Sequence, residues 1–248
     1  MIRKKHQGIE WLEFELLQEF PGIRHGVFLS HGGVSTGAFT SLNVGAFVGD
    51  DLLFVEENRR RIADLFSVKK LATGKQVHGV HLETVKKEEF ESLECDGLIT
   101  EEKGKALMIQ HADCQAAIFY DPIKNRLATI HCGWRGSVQN IYEKTVNTLV
   151  DLGSSPGDLL VCISPSLGPN ASEFIHYEKE LPLSFLEFRK EGCLFDFWKI
   201  SRFQLLQAGV DPSHIEIAGI CTYENKESFF SYRRDKITGR HATIAQLL

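Results

Sequence analysis

Between Cys114 and Gly136 the chain reads CQAAIFYDPIKNRLATIHCGWRG, two short apolar runs joined by the turn-forming Asp121-Pro122-Ile123-Lys124-Asn125. Runs of this length on either side of such a turn predict an antiparallel hairpin. A hairpin constrains the rest strongly, because its two ends must meet. Cys114 stands before the first run and His131 closes the second, so folding brings a thiol and an imidazole together. A further imidazole, His78, lies upstream in Gly74-Lys75-Gln76-Val77-His78-Gly79. One thiolate and two imidazoles suit a divalent transition metal, and three protein ligands leave a fourth tetrahedral position open. A second chemistry uses the same residues: Cys114 as nucleophile with His131 as its base, as in a thiol hydrolase. A structural zinc would need a fourth protein ligand, for which Cys132 and His111 are the nearby candidates.

The remaining pattern predicts an α/β fold. Strands are expected near Trp11–Leu17, Ile23–Leu29, Val77–Val85, Ala106–Gln110, Ala116–Tyr120, Leu127–His131, Leu159–Ile163 and Ile215–Cys221. Helical spacing fits Val55–Phe66, Ser137–Leu152, Tyr177–Arg189 and Phe197–Ala208. Strands outnumber helices and several are joined tightly, so the sheets should be mixed with antiparallel pairs, flanked by helices. A doubly wound parallel sheet is not expected. The 248 residues, 43% hydrophobic, are enough for one sizeable core, and a single domain over 1–248 is expected.

A formal charge of −5 without a basic run excludes a phosphate-tracking nucleic-acid binder and favours small-molecule partners. Met1-Ile2-Arg3-Lys4-Lys5-His6 leads straight into mixed polar sequence, and no segment approaches the roughly 18 apolar residues of a membrane helix. These features predict a cytoplasmic chain, monomeric or a small homo-oligomer, whose six cysteines are reduced. Cys162 and Cys193 are expected to pack as small apolar groups.

Several motifs in order carry a resemblance: Gly32-Gly33-Val34-Ser35, Ser41-Leu42-Asn43-Val44-Gly45, Gln76-Val77-His78-Gly79, Ala112-Asp113-Cys114, His131-Cys132-Gly133-Trp134-Arg135-Gly136 and Phe229-Phe230-Ser231-Tyr232-Arg233-Arg234-Asp235. Together they resemble the laccase-domain (YfiH-type) family over nearly the whole chain. That family was first described as multicopper polyphenol oxidoreductases and later as zinc-dependent purine nucleoside phosphorylases with adenosine deaminase activity. The resemblance implies a layered α/β structure with helices outside. It also implies zinc, or copper in the older description, held by His78, Cys114 and His131. The implied reaction splits adenosine or inosine, with methylthioadenosine as a further substrate, using phosphate. The copper description asks for more than ten histidines without a single His-x-His pair can offer.

Phosphorolysis needs anion-binding groups. Arg135, just before the helix expected from Ser137, and Arg233 are the candidates, with Arg234 beside it. Asp113 is a candidate to hold a ligand histidine in one tautomer, to act as acid or base, or simply to cap a loop. Asn43 is the candidate substrate contact in the glycine-rich N-terminal motif. Trp134 could stack on a purine or pack at its junction. His81 is expected to be a bystander, three residues from His78 on a strand and so on its opposite face. The family's usual pattern is altered at Ser30, where an arginine is common, at Cys162-Ile163-Ser164-Pro165, at Ser172-Glu173, and at Cys132 and Cys95.

Overall fold

The computed structural model describes residues 1–86 and 94–248. In chain order its elements are β1 (Ile2–His6), β2 (Ile9–Glu13), β3 (Ile23–Phe28), α1 (Leu52–Leu65), β4 (Leu71–Ala72), β5 (Leu82–Thr84), β6 (Gly97–Thr100), β7 (Ala106–His111) and β8 (Gln115–Asp121). There follow β9 (Arg126–Cys132), α2 (Trp134–Val138), α3 (Ile141–Asp151), β10 (Leu160–Ile163), α4 (Tyr177–Glu180), α5 (Phe197–Gln207), β11 (Ile215–Ile217), α6 (Tyr232–Asp235) and β12 (His241–Leu247).

The strands form two mixed sheets, ordered β1-β2-β3-β12-β7-β4 and β11-β10-β8-β9-β6-β5. Parallel neighbours occur only at β4/β7, β5/β6 and β10/β11. The period of two along each strand sends alternate side chains to opposite faces and thereby builds the layers. Leu12, Val27, Leu107 and Ala245 of the first sheet meet Leu98, Ile118, Leu127 and Leu160 of the second in a central core. On the outer face of the first sheet, Phe28, Met108 and Ile244 pack with Ile62 and Ala63 of α1. On the outer face of the second, Phe119, Ala128 and Ile130 pack with Tyr142 and Val146 of α3 and Leu205 of α5. The molecule is a helix–sheet–sheet–helix sandwich.

The expected hairpin is present: β8 pairs antiparallel with β9, with Ala116 opposite His131 and Gln115 opposite Cys132. Other expectations are revised. The strand read over Val77–Val85 is confined to β5, because His78 adopts φ +62° and the chain turns there. The helix read over Ser137–Leu152 is two helices, α2 and α3, separated at the left-handed Asn140. The helix read over Tyr177–Arg189 is the short α4 followed by a 3-10 turn at Leu183–Phe188, since Pro182 cannot donate within a continuous helix. Among the described residues no helix is long and apolar enough to cross a membrane.

Candidate functional site

β7 belongs to the first sheet and β8 to the second, so the three residues Ala112, Asp113 and Cys114 carry the chain across from one to the other. Asp113 makes the crossing at φ +88°. Its carboxylate accepts hydrogen bonds from Thr222 Oγ1 at 2.7 Å and from the Arg233 backbone N–H, and its carbonyl accepts from Leu167 N. Cys114 then stands at the lip of β8, beside His131 on β9. His78 arrives from the turn before β5, its ring meeting that of His131 edge-on at 4.8 Å between centroids. The donor atoms of His78, Cys114 and His131 all lie within 4.8 Å of one another. His131 is buried, Cys114 half-buried and His78 exposed. The trio can hold a single metal ion and leave a position open towards the cavity.

Asp96, at the foot of β6 and fully buried, joins two of these groups. Its Oδ1 lies 2.8 Å from His131 Nδ1, which leaves Nε2 for a metal. The same carboxylate accepts the backbone N–H groups of Val77, His78 and Gly79 at 3.1, 2.9 and 2.7 Å. The tautomer-fixing role considered for Asp113 therefore belongs to Asp96. Sequence reading gave it no role, because only the β6/β9 pairing brings it to His131.

The charges reinforce one another. Burial pushes the Cys114 thiol up, but the charge and hydrogen bond of His131, with help from His78, outweigh it and hold the thiol below its ordinary range. Burial pushes His131 down, and the Cys114 thiolate and Asp96 together raise it above the usual imidazole value. For Asp96 burial again acts upward, yet His131 and the backbone N–H groups of Gly79 and Val77 keep the carboxyl low. A cation is thus favoured between the thiolate and the carboxylate. Neither candidate fourth ligand joins the trio, although the buried His111 Nδ1 has no hydrogen-bond partner among the described residues. Burial pushes Cys132 up to about 12, and its sulfur contacts Ser137 Oγ at 3.2 Å. His111 is buried with Nε2 on Thr243 Oγ1 at 2.8 Å.

The trio opens into a cavity of about 220 Å³, whose lining includes His78, Asp113, Cys114, Trp134, Phe174, Phe197, Tyr232, Arg135 and Arg233. Arg135 lies inside the first turn of α2, one residue beyond its start, and its guanidinium rests 4.3 Å above the Trp134 ring. Trp134 meets Phe174 edge-on at 6.1 Å, and Phe174 leans on Phe197 at 5.1 Å, giving an aromatic wall. Arg233 donates to Ala171 O and reaches a neighbouring cavity as well. Arg234 instead ties Thr222, Tyr223 and Phe229 carbonyls.

Asn43 is not where a substrate contact was expected. It is fully buried, its Oδ1 accepts from Gly45 N and Arg240 N, and its Nδ2 donates to Asp50 and Gly45. No polar atom of its side chain is left for a ligand. His81 is exposed and contacts Glu83, apart from the trio. Phe174, Phe197 and Tyr232 were given no role from sequence, since their meeting in one cavity depends on segments far apart in the chain.

Fold and site together define a class: a layered α/β protein with an open His–Cys–His metal-type centre in an aromatic, arginine-bearing cavity. The chain belongs to the family described as multi-copper polyphenol oxidoreductase laccase, whose sequence model matches residues 24–248. It is 36% identical over 235 residues to the purine nucleoside phosphorylase PA4543 of Pseudomonas aeruginosa, covering 91% of this chain and 93% of that one. It is 33% identical over 229 residues to the purine nucleoside phosphorylase YfiH of Escherichia coli, covering 88% and 90%. The crystal structure of YlmD from Geobacillus stearothermophilus superposes with a TM-score of 0.87 at 31% identity, over 98% of this chain and 97% of that one.

Proposed function

We propose that the chain is a zinc-dependent purine nucleoside phosphorylase of the cytoplasm, splitting inosine or adenosine with phosphate into free base and ribose 1-phosphate. The observation that carries this reading is the His78–Cys114–His131 trio opening into a cavity that also bears stacked aromatic rings and two arginines. The names of the relatives supply the reaction class.

His78, Cys114 and His131 would hold the zinc, with Asp96 keeping the His131 Nε2 turned towards it. When bound, zinc supplies a Lewis acid at one end of the cavity. Thiolate and imidazole are donors that both zinc and copper accept, so the choice of zinc rests on the open three-ligand arrangement of a catalytic zinc site. A multicopper centre also needs several metal groups, and among the described residues this trio is the one group found.

The aromatic wall of Trp134, Phe174 and Phe197 offers a face for the purine ring. Arg135 and Arg233 provide guanidinium groups for phosphate, whose attack at the ribose C1′ expels the base. Asp113 holds Thr222 and the start of α6, so Arg233 stays at the cavity edge. Deamination of adenosine would be a second reaction of the same cavity, in which water attacks C6 of the purine and ammonia leaves, the glycosidic bond staying intact.

The test is product analysis with zinc-loaded protein and inosine or adenosine, with and without phosphate. Ribose 1-phosphate formed only when phosphate is present is the expected result. Inosine accumulating from adenosine without phosphate would add the deaminase activity. No turnover of either nucleoside at full zinc occupancy would overturn the phosphorylase reading. It would favour a second one, for which one observation speaks: Cys114, His131 and Asp96 stand in the thiol–imidazole–carboxylate order of a cysteine hydrolase. That reading requires activity in the metal-stripped protein, because a ligated thiolate is occupied.

A further inference from the structure

We propose that Asp96 is the positioning residue that assembles the centre, setting His78 and His131 at once through a single carboxylate. The inference rests on the zinc reading above.

The geometry is a complete count of acceptor sites. An ionised carboxylate offers about four lone-pair positions, and Asp96 has four donors aimed at it. Oδ1 takes the His78 N–H at 2.9 Å and the His131 Nδ1–H at 2.8 Å. Oδ2 takes the Gly79 N–H at 2.7 Å and the Val77 N–H at 3.1 Å. The residue's own backbone is tied as well, its carbonyl accepting His131 N at 2.7 Å and its N–H donating to His81 O at 3.0 Å.

Each contact has a separate consequence. The bond to Nδ1 fixes the His131 tautomer and ring plane, so that Nε2 is the free nitrogen. The three backbone N–H groups would otherwise be unpaired donors in a turn where His78 holds φ +62°, a backbone state disfavoured for any residue with a Cβ. Among the described residues no other group bonds those three N–H groups, so without the carboxylate His78 loses the turn that presents it. A ligand on β9 and a ligand on a loop are thus coupled through one buried side chain.

An asparagine cannot reproduce this arrangement. Whichever way its amide turns, the NH₂ faces two donors, and at least one turn N–H loses its carboxylate partner. The test uses cobalt(II) as the probe metal, because its absorption reports both thiolate ligation and coordination number. Asp96→Asn should fold, as judged by circular dichroism, yet bind cobalt about 10- to 100-fold more weakly than wild type, with an altered ligand-field spectrum. In a His131→Ala background Asp96→Asn should still weaken binding, because its second route runs through His78. A folded Asp96→Asn protein with the wild-type affinity and spectrum would overturn the proposal, as would loss of all effect in the His131→Ala background.

If Asp96→Asn does not fold, ¹⁵N-histidine NMR of the wild type decides. Zinc-loaded protein should show a slowly exchanging His131 Nδ1–H with ligation through Nε2, and ligation through Nδ1 would overturn the assignment. Should the wild type take up neither zinc nor cobalt, it is the metal reading that fails. The same spectrum of the ion-free protein then still tests the Asp96 contact, its slow Nδ1–H being present or absent.

Discussion

Gly133 follows directly on β9, and its missing side chain is what lets the trio close. A Cβ built there would lie 2.9 Å from His78 Cδ2, closer than real Cβ atoms come, and 3.1 Å from Cys114 Sγ, a contact the thiol would have to yield to. Because His78 is exposed and can swing outward, Gly133→Ala should relieve the clash by displacing a donor without unfolding the core. The expected outcome is at least a tenfold loss of zinc affinity at nearly unchanged melting temperature, measured by chelator competition and thermal melts. Arg135 tests the opposite property, binding of substrate without binding of metal. Arg135→Ala should retain full zinc while phosphate-dependent turnover falls by about 10- to 100-fold, the loss of a charge-assisted contact of about 1.5–3 kcal/mol. Zinc content by metal analysis and kcat/KM for phosphate separate the two effects. From sequence, the hairpin puts Cys114 and His131 side by side, whereas His78 joins them through its donor chemistry and the family resemblance. Asp96 and Gly133 were not readable there, since their roles exist only once separate segments lie side by side.

At the scale of elements, legibility followed pattern. The hairpin β8–β9 and helices α1 and α5 stand close to where periodicity puts them, because each has a long apolar run or a clear helical face. β1 was unreadable: its IRKKH sequence is mostly charged, and it is an edge strand held by β2 alone. β12 was missed for the reverse reason, being buried on both faces and so showing no alternation. The false union of α2 with α3 turned on one residue. Asn140 sits at φ +55°, accepts the Glu143 N–H on its side chain, and donates back to the Glu143 carboxylate at 2.8 Å. Asn140→Ala should therefore cost about 1–2 kcal/mol in chemical denaturation, whereas Asn140→Gly, which keeps the left-handed backbone available, should cost less. Equal losses for both would show that the cap and not the backbone dominates.

Across the whole molecule, the interior carries histidines that work only as neutral rings. His25 Nε2 accepts the Phe14 N–H at 2.8 Å, and His241 Nε2 accepts the Phe230 N–H at 2.7 Å. Burial pushes both rings down to about 4, against an ordinary value of 6.5. The unfolded chain thus binds these protons at a higher pH than the folded one. The stability they support is complete above about 6.5 and is lost as pH falls towards about 4. Within that window each ring should contribute a slope of up to about 1.4 kcal/mol per pH unit, seen as a falling melting temperature in acid. A melting temperature that stays flat over the same interval would contradict it.

The order of the first sheet has a consequence for how the protein is made. β12 lies between β3 and β7, so a strand at 241–247 divides two partners that are synthesised far earlier. On the ribosome, β3 and β7 emerge with bare edges and wait for most of the chain's translation before the strand that separates them arrives. The first sheet is a late assembly, and the second, whose strands span 82–217, can form ahead of it. A chain shortened before 241 should leave those edges open to other chains and accumulate as aggregate or in complex with chaperones. Slower translation of the codons between β7 and β12 would lengthen the same exposure without changing a single residue.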